Sequence, residues 1–569
     1  MLRQGVWLVL LIAYSIIGFD RTPTSDDDAC APLPPPSGHI VHVSTLQELN
    51  GAVHSAAPGD TILIADGTYN FGSGDYLRIA QQNITLRSAS EDRNAVILDG
   101  DYQATELIQI VSSDVTVADI TLREALYHPI HVSTDGADTL NTRIYNVRIV
   151  DPGQQAIKIN PDGSRAFFPD HGTVACSRIE LTDAGRSHVS GCYTGGIDAH
   201  QAYGWTIRDN VIEGFWCPSG LSEHAIHLWR GSRDTTVERN VLRNNARGIG
   251  FGLVESGTDA RTYADSPCPD TSGYVGHYGG IVRNNTVFAD RADLFASQYG
   301  FDCGICLAQA CQTTVVHNTV ASTQPPFSSI EWRFSNTSVD LLNNLVTHNL
   351  RERDGASASH QGNLHQQPLS LFVDGASGDL HLASSAIAAI DQGTPLASGL
   401  CDDDIDGDPR PQGSERDVGA DEVDLAPPAA VTDLRVAQAV TSTSTLTLTL
   451  QWSPPADAVT ATLRTAQQPI TDQNWGTSTL ITDTLPGSIG FYTMTLSLPS
   501  DTVYFALRSW GEAGASPISN NAFWPNVDIF LPFIARNAIA LQSKNTLAPI
   551  PGSDGTANSI REEIETAIE

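Results

Sequence analysis

Lys158, Asp198, His200, His227 and Arg230 are the residues whose types and spacing could do chemistry. A chain of 569 residues with net charge −33 has only two lysines, Lys158 and Lys544, so a lysine at 158 is more than surface decoration. An ammonium or guanidinium group beside imidazoles can neutralise a carboxylate, help take a proton from the neighbouring carbon and protonate a leaving oxygen. Glycoside hydrolysis is served less well, because it needs two placed carboxylates. Asp198 and Glu331 come out four rungs apart in the register below, roughly 20 Å at about 4.8 Å per rung.

Those residues are positioned by a repeat. The stretch 195–252 reads GGIDAHQAYGWTIRDNVIEGF, a short insertion, then HAIHLWRGSRDTTVERNVLRNNARGIGFG. Aligned on the Ile that begins one strand of each turn, the column is Ile130, Ile157, Ile197, Ile226, Ile249, Ile305 and Ile330. A second column holds Asn146, Asn210, Asn240, Asn285, Asn318 and Asn344, with Ser177 substituting once. The segments lack helical periodicity. Short strands, one Asn per turn and a rung of roughly 25–30 residues predict a parallel β-solenoid. The Asn column is expected to be structural, each amide bonding to the next coil and each residue tolerating left-handed backbone.

In such a solenoid equivalent positions stack, and strand alternation turns the residue after each Ile outward. The outward column is then His131, Lys158, Asp198, His227, Gly250, Cys306 and Glu331. Two positions on stand Ser133, Asn160, His200, Trp229, Gly252, Ala308 and Arg333, with Arg230 following Trp229. This face predicts a groove with Lys158, Asp198, His200, His227 and Arg230 as catalytic candidates. His131, Asn160, Trp229, Glu331 and Arg333 are its candidate ligand-binding residues, and Gly250 and Gly252 would leave room beside the backbone. The bland alternative is a surface ion pair between Lys158 and Asp198, worth ~0–1 kcal/mol.

Residues 39–425 resemble the right-handed parallel β-helix proteins of the pectate-lyase-like superfamily. The likeness rests on the entry Pro58-Gly59-Asp60-Thr61-Ile62 behind a short capped helix. It rests also on the closing segment Ser377-Gly-Asp-Leu-His-Leu through Asp406-Gly-Asp-Pro-Arg410 to Asp417-Val-Gly-Ala-Asp-Glu422. The resemblance implies an all-β right-handed parallel β-helix acting on a polysaccharide, with β-elimination of a uronic-acid chain the favoured reaction. Gly195-Gly-Ile-Asp198-Ala-His200 also resembles the Tyr-Gly-x-Asp-Pro-His motif of the mannuronan C5-epimerases, which implies active-site roles for Asp198 and His200. Gly195 stands where that family has Tyr, and Ala199 where it has Pro. A non-catalytic polysaccharide-binding surface protein is the competing class, since the superfamily includes such members.

Thr45 and Glu48 form a capping box ahead of Leu46, Leu49 and Val53 on one helical face. Segment 428–525 alternates as sandwich strands and resembles a fibronectin type III module, and 526–569 carries an apolar motif and a polar tail. Residues 1–19 have the layout of a secretory signal or an N-terminal anchor, and 20–38 read as a linker. Export to the medium or the cell surface is the expectation, with no other membrane span. The acidic balance (pI about 4.6) excludes nucleic acid as a partner and opposes an anionic substrate everywhere except at a locally basic face. A monomer is expected. Nine cysteines in an exported chain predict disulfides or buried thiols, and the odd count leaves at least one free or paired between chains. Cys401 opens an acidic turn whose Asp402, Asp404 and Asp406, followed by Gly407, resemble the first half of a calcium loop, although position twelve is Gly413. Calcium there is the one cofactor expected.

Overall fold

In the computed structural model, residues 30–253, 259–271, 273–423, 427–455, 458–499, 501–511 and 514–524 are described. The proposed signal segment 1–19 and the tail 526–569 lie outside them. The chain divides into two compact units, one ending at residue 424 and the other beginning at 425.

The first unit is a right-handed parallel β-helix. Its walls are three long parallel sheets of 14, 10 and 10 strands. The Ile column forms one continuous inner seam: Ile108, Ile130, Ile157, Ile197, Ile226, Ile249, Ile305 and Ile330 are successive register partners, and Leu350 follows. Each of these isoleucines is fully buried, so truncating one to Ala costs about 2–5 kcal/mol. Alternation along the same strands sets Lys158, Asp198 and His227 opposite one another on the other side of the wall.

The ladder of amides is structural and differs by one residue from its expected start. Asn210 Nδ2 donates to Asn240 Oδ1, Asn240 to Asn285, Asn285 to Asn318, and Asn318 to Asn344, at 2.9–3.0 Å. Asn363 extends it by one more rung. Asn146 is not a member, because Val147 occupies that register beside Ser177. Asn146 belongs to the preceding column, which runs Asp119, Asn146, Cys176, Asp209, Arg239, Asn284, His317 and Asn343. That column, and not the ladder itself, takes the left-handed turn, with φ from 49° to 59°. The ladder amides from Asn210 to Asn344 are fully buried and need partners for both donor and acceptor.

The N-terminal end is closed by the helix Leu46–Ser55, whose Thr45–Glu48 capping box is formed and whose Leu49 and Val53 are buried. Residues 30–38, expected to be linker, line the wall instead: Cys30 is disulfide-bonded to Cys176, and Leu33 packs with Tyr145 and Ala175. Further disulfides join Cys192 to Cys217, Cys268 to Cys311 and Cys303 to Cys306, leaving the buried thiol of Cys401.

The second unit is a small antiparallel β-sandwich. One sheet holds Arg435–Thr441, Thr445–Gln451 and Phe491–Ser497, and the other is built on Thr460–Ala466, Thr479–Pro486 and Val503–Gly511. Leu446, Leu448, Leu450, Trp452, Leu463, Phe505 and Leu507 fill its core.

Candidate active site

Strands Gln155–Ile159, Gly195–His200 and Ile226–Trp229 carry the central residues. Lys158 and Asp198 are direct register partners, and His227 follows Asp198 on the next rung. The Lys158 ammonium donates to Asp198 Oδ2 and lies 3.0 Å from His200 Nε2 and 3.4 Å from the Tyr193 hydroxyl. Trp229 Nε1 donates to Asp198 Oδ1 at 2.9 Å, and the Trp229 ring meets His200 edge-on. Lys158, Asp198 and His200 are thus gathered as their register requires.

These groups face outward and are nevertheless covered. Lys158 is 7% exposed and Asp198 2%, so their contact is not the surface ion pair that a bare solenoid wall would give. Tyr193, 38% exposed, stands beside them; the neighbouring Cys192 is tied to Cys217, which fixes the loop that delivers the phenol. Burial pulls against the Lys158 ammonium, but the charge of Asp198, with Tyr193 adding to it, outweighs that cost and raises its pKa. Asp198 stays well below the ordinary carboxylate range although burial pushes it up, because Lys158, His200 and His227 surround it. Burial lowers His200, with Asp198 opposing, and so favours the neutral imidazole.

His227 and Arg230 are placed differently. His227 is fully buried beneath Trp229, ring centroids 5.1 Å apart and stacked, and its Nε2 donates to the Gly252 carbonyl at 3.1 Å. Its ring is therefore covered from solvent. Arg230 follows the strand in left-handed backbone, its guanidinium 4.6 Å from the Trp229 ring centre and 3.6 Å from Asp259.

The binding candidates spread along the same wall. His131, one rung before Lys158, bonds Asn160 at 3.1 Å and Glu106 at 2.7 Å. Glu331 is held by Ser328 and Arg353, and Arg333 by Asp354. Glu331, Arg333 and Arg353 line a cleft of about 430 Å³ together with Tyr299, Asp302 and Phe327. The two glycines do not leave open space. A Cβ on Gly250 would stand 2.6 Å from the His224 ring, and one on Gly252 1.7 Å from the Ala308 carbonyl. Gly250 makes room for an imidazole of the protein itself, and Gly252 lets two coils approach.

The acidic turn sends its carboxylates to three separate partners. Asp402 pairs with Arg416, Asp404 accepts backbone amides of Asp406, Asp408 and Glu422, and Asp406 meets His381. His381, raised to about 10 first by its hydrogen bond to Asp406, already supplies a cation. Asp402, Asp404 and Asp406 are not gathered on one point by these contacts, and among the described residues Asp406 joins His381 and Asp421 in a group that could hold a metal ion.

Sequence reasoning missed Glu223 and His224, which precede the strand and lie off the stacked columns. The density of ligand types in Glu223-His224-Ala225-Ile226-His227 was the signal that could have found them.

No family model and no curated protein matches the chain. Among solved structures, a pectate lyase aligns at 15% identity over 68% of this chain and 96% of its own, with a TM-score of 0.44. An alginate lyase from Paenibacillus sp. aligns at 13% over 56% and 99%, TM-score 0.31. The tailspike protein of an E. coli bacteriophage, in complex with a pentasaccharide, aligns at 11% over 81% and 85%, TM-score 0.35.

Proposed function

We propose that the chain is a carbohydrate-active enzyme that abstracts the C5 proton of a uronic-acid residue and completes β-elimination, as a polysaccharide lyase. The observation that carries this reading is the meeting of the Lys158 ammonium, the His200 imidazole and the Tyr193 hydroxyl within 3.4 Å of one nitrogen, on the outer wall of a β-helix. A cation for the substrate carboxylate, a neutral base and a phenolic acid are the parts this elimination needs.

In this mechanism Lys158, oriented by Asp198, withdraws electron density from the carboxylate and makes C5–H acidic. His200 takes the proton once Lys158 turns to the substrate, and Tyr193 protonates the departing oxygen of the chain. Asp198 positions Lys158, and Trp229 fixes Asp198. The cleft at Glu331, Arg333 and Arg353 receives sugars several rungs along, and His131 and Asn160 border the other end.

Epimerisation is the second reading, because both reactions begin with the same proton abstraction. Tyr193 favours it: the tyrosine missing at Gly195 is supplied from two residues earlier, its hydroxyl against Lys158. The four disulfides of the described residues belong to an oxidising compartment, which fits a secreted or surface protein acting on an external polysaccharide. No described helix is long and apolar enough to cross a membrane. The sandwich at 428–525 is read as a fibronectin type III-like spacer or binder, and the protein as a monomer.

Incubation with alginate, pectate and chondroitin separates the readings. New ultraviolet absorbance from an unsaturated uronate supports the lyase, and altered uronic-acid composition without cleavage supports the epimerase. Binding of a polymer with neither outcome leaves the non-catalytic class.

A further inference from the structure

Three buried polar atoms without hydrogen-bond partners converge behind Trp229: Glu223 Oε2, His224 Nδ1 and His227 Nδ1. Each residue can bring one ligand atom, a carboxylate oxygen or a ring nitrogen, within 4.8 Å of those of the other two. His224 is 2% exposed and His227 fully buried, so water does not satisfy them in bulk. An unpaired buried polar atom is costly, and a single ion among the three would partner them all.

We infer that Glu223, His224 and His227 form a site for a divalent transition-metal ion of the zinc and cobalt class. The tautomer of His227 is already the required one. Its Nε2–H donates to the Gly252 carbonyl, which directs the Nδ1 lone pair toward Glu223, and a backbone carbonyl is a usual second partner of a metal-bound histidine. Glu223 Oε2 lies 3.3 Å from His227 Nδ1. Two ligands about 2.0–2.1 Å from a tetrahedral ion stand about 3.4 Å apart, so this spacing fits. Two imidazoles and one carboxylate suit a borderline ion better than calcium, which prefers oxygen. Gly250 completes the case, since any side chain there would strike the His224 ring.

A proton on His227 Nδ1 would also bridge to Glu223, yet it would leave His224 Nδ1 unpartnered. The ion serves all three. It would cross-link the segment ahead of strand Ile226–Trp229 to the strand itself, directly under Trp229. The inference does not rest on the proposed reaction, although His227 Nδ1 also lies 3.5 Å from Asp198 Oδ1.

The test uses the full chain, stripped with a chelator that is then removed, and titrated with Co²⁺ and Zn²⁺. Visible d–d absorption saturating at one equivalent and a rise in Tm with Zn²⁺ are expected. Glu223→Gln, nearly isosteric, should weaken Co²⁺ at least tenfold, and His224→Asn likewise, while His381→Asn at the distant acidic turn should change nothing. Far-UV dichroism of the metal-free variants checks folding. Should the variants not fold, the wild-type titration decides alone. Absence of a saturable one-equivalent site in the wild type, or affinity unchanged in Glu223→Gln, would overturn the site and leave the protonated histidine.

Discussion

Lys158 and Asp198 face each other on adjacent rungs as a buried ion pair, their side chains 9% and 3% exposed. Removing one member of such a pair is far more damaging than removing a surface contact. Lys158→Met is expected to cost about 3–5 kcal/mol, because it strands the Asp198 carboxylate. Adding Asp198→Asn should restore more than half of that loss. Urea denaturation of the two variants measures it, and a Lys158→Met cost under 1 kcal/mol would return the pair to the surface class.

Tyr193 gives the converse case. It is the exposed member of the cluster, its hydroxyl 3.4 Å and its ring centre 5.9 Å from the Lys158 ammonium. Tyr193→Phe should leave Tm unchanged and lower kcat by about 10²–10⁴, the usual span for a general acid or base. Steady-state kinetics on the polymer that the wild type converts would check this, and full activity would remove Tyr193 from the mechanism.

The amide ladder predicts a large effect far from chemistry. Asn240 accepts from the backbone and side-chain nitrogens of Asn210 and donates to Asn285 and the Ile207 carbonyl. Asn240→Ala leaves these groups buried without partners, at about 2–4 kcal/mol. Asn240→Asp should be at least as harmful, since it sets an acceptor against the Asn285 oxygen. Chemical denaturation distinguishes them from a neutral surface change.

Acid should weaken the fold through buried neutral histidines. Burial lowers His277 to about 3 and His128 to about 4, from an ordinary 6.5. The unfolded chain takes up these protons first, so their contribution is complete above about pH 6.5 and falls as pH drops toward 4 and then 3. Tm measured from pH 7 to 5 should decrease, and His277→Gln should flatten part of that slope. His277 bonds Thr235 and the Gly279 carbonyl and stacks on Phe251, so the variant is also expected to be less stable at pH 7.

Most of the wall was legible because strand alternation and a repeated Ile leave one register. That register alone sets Lys158 against Asp198 and Asp198 against His227. Depth was not legible, since it depends on what the loops bring over the wall. The Cys192–Cys217 bridge and Trp229 cover the pair, and no periodicity in the strands encodes that. Gly250 and Gly252 read as open space because the sequence shows a missing side chain, not the His224 ring or Ala308 carbonyl that takes its place. Asn146 was misplaced by one position, since adjacent columns at this turn both favour Asn for different reasons. The acidic turn was legible as a run of carboxylates, but not the partners they take, Arg416 for Asp402 and His381 for Asp406.

The most direct test is proton NMR of uronate polymers incubated with the protein in D₂O. Abstraction at C5 predicts either a vinylic signal from an unsaturated end or loss of the C5 proton to deuterium, and both should vanish in His200→Asn. Unchanged C5 signals on a polymer that demonstrably binds the wild-type protein would contradict the account.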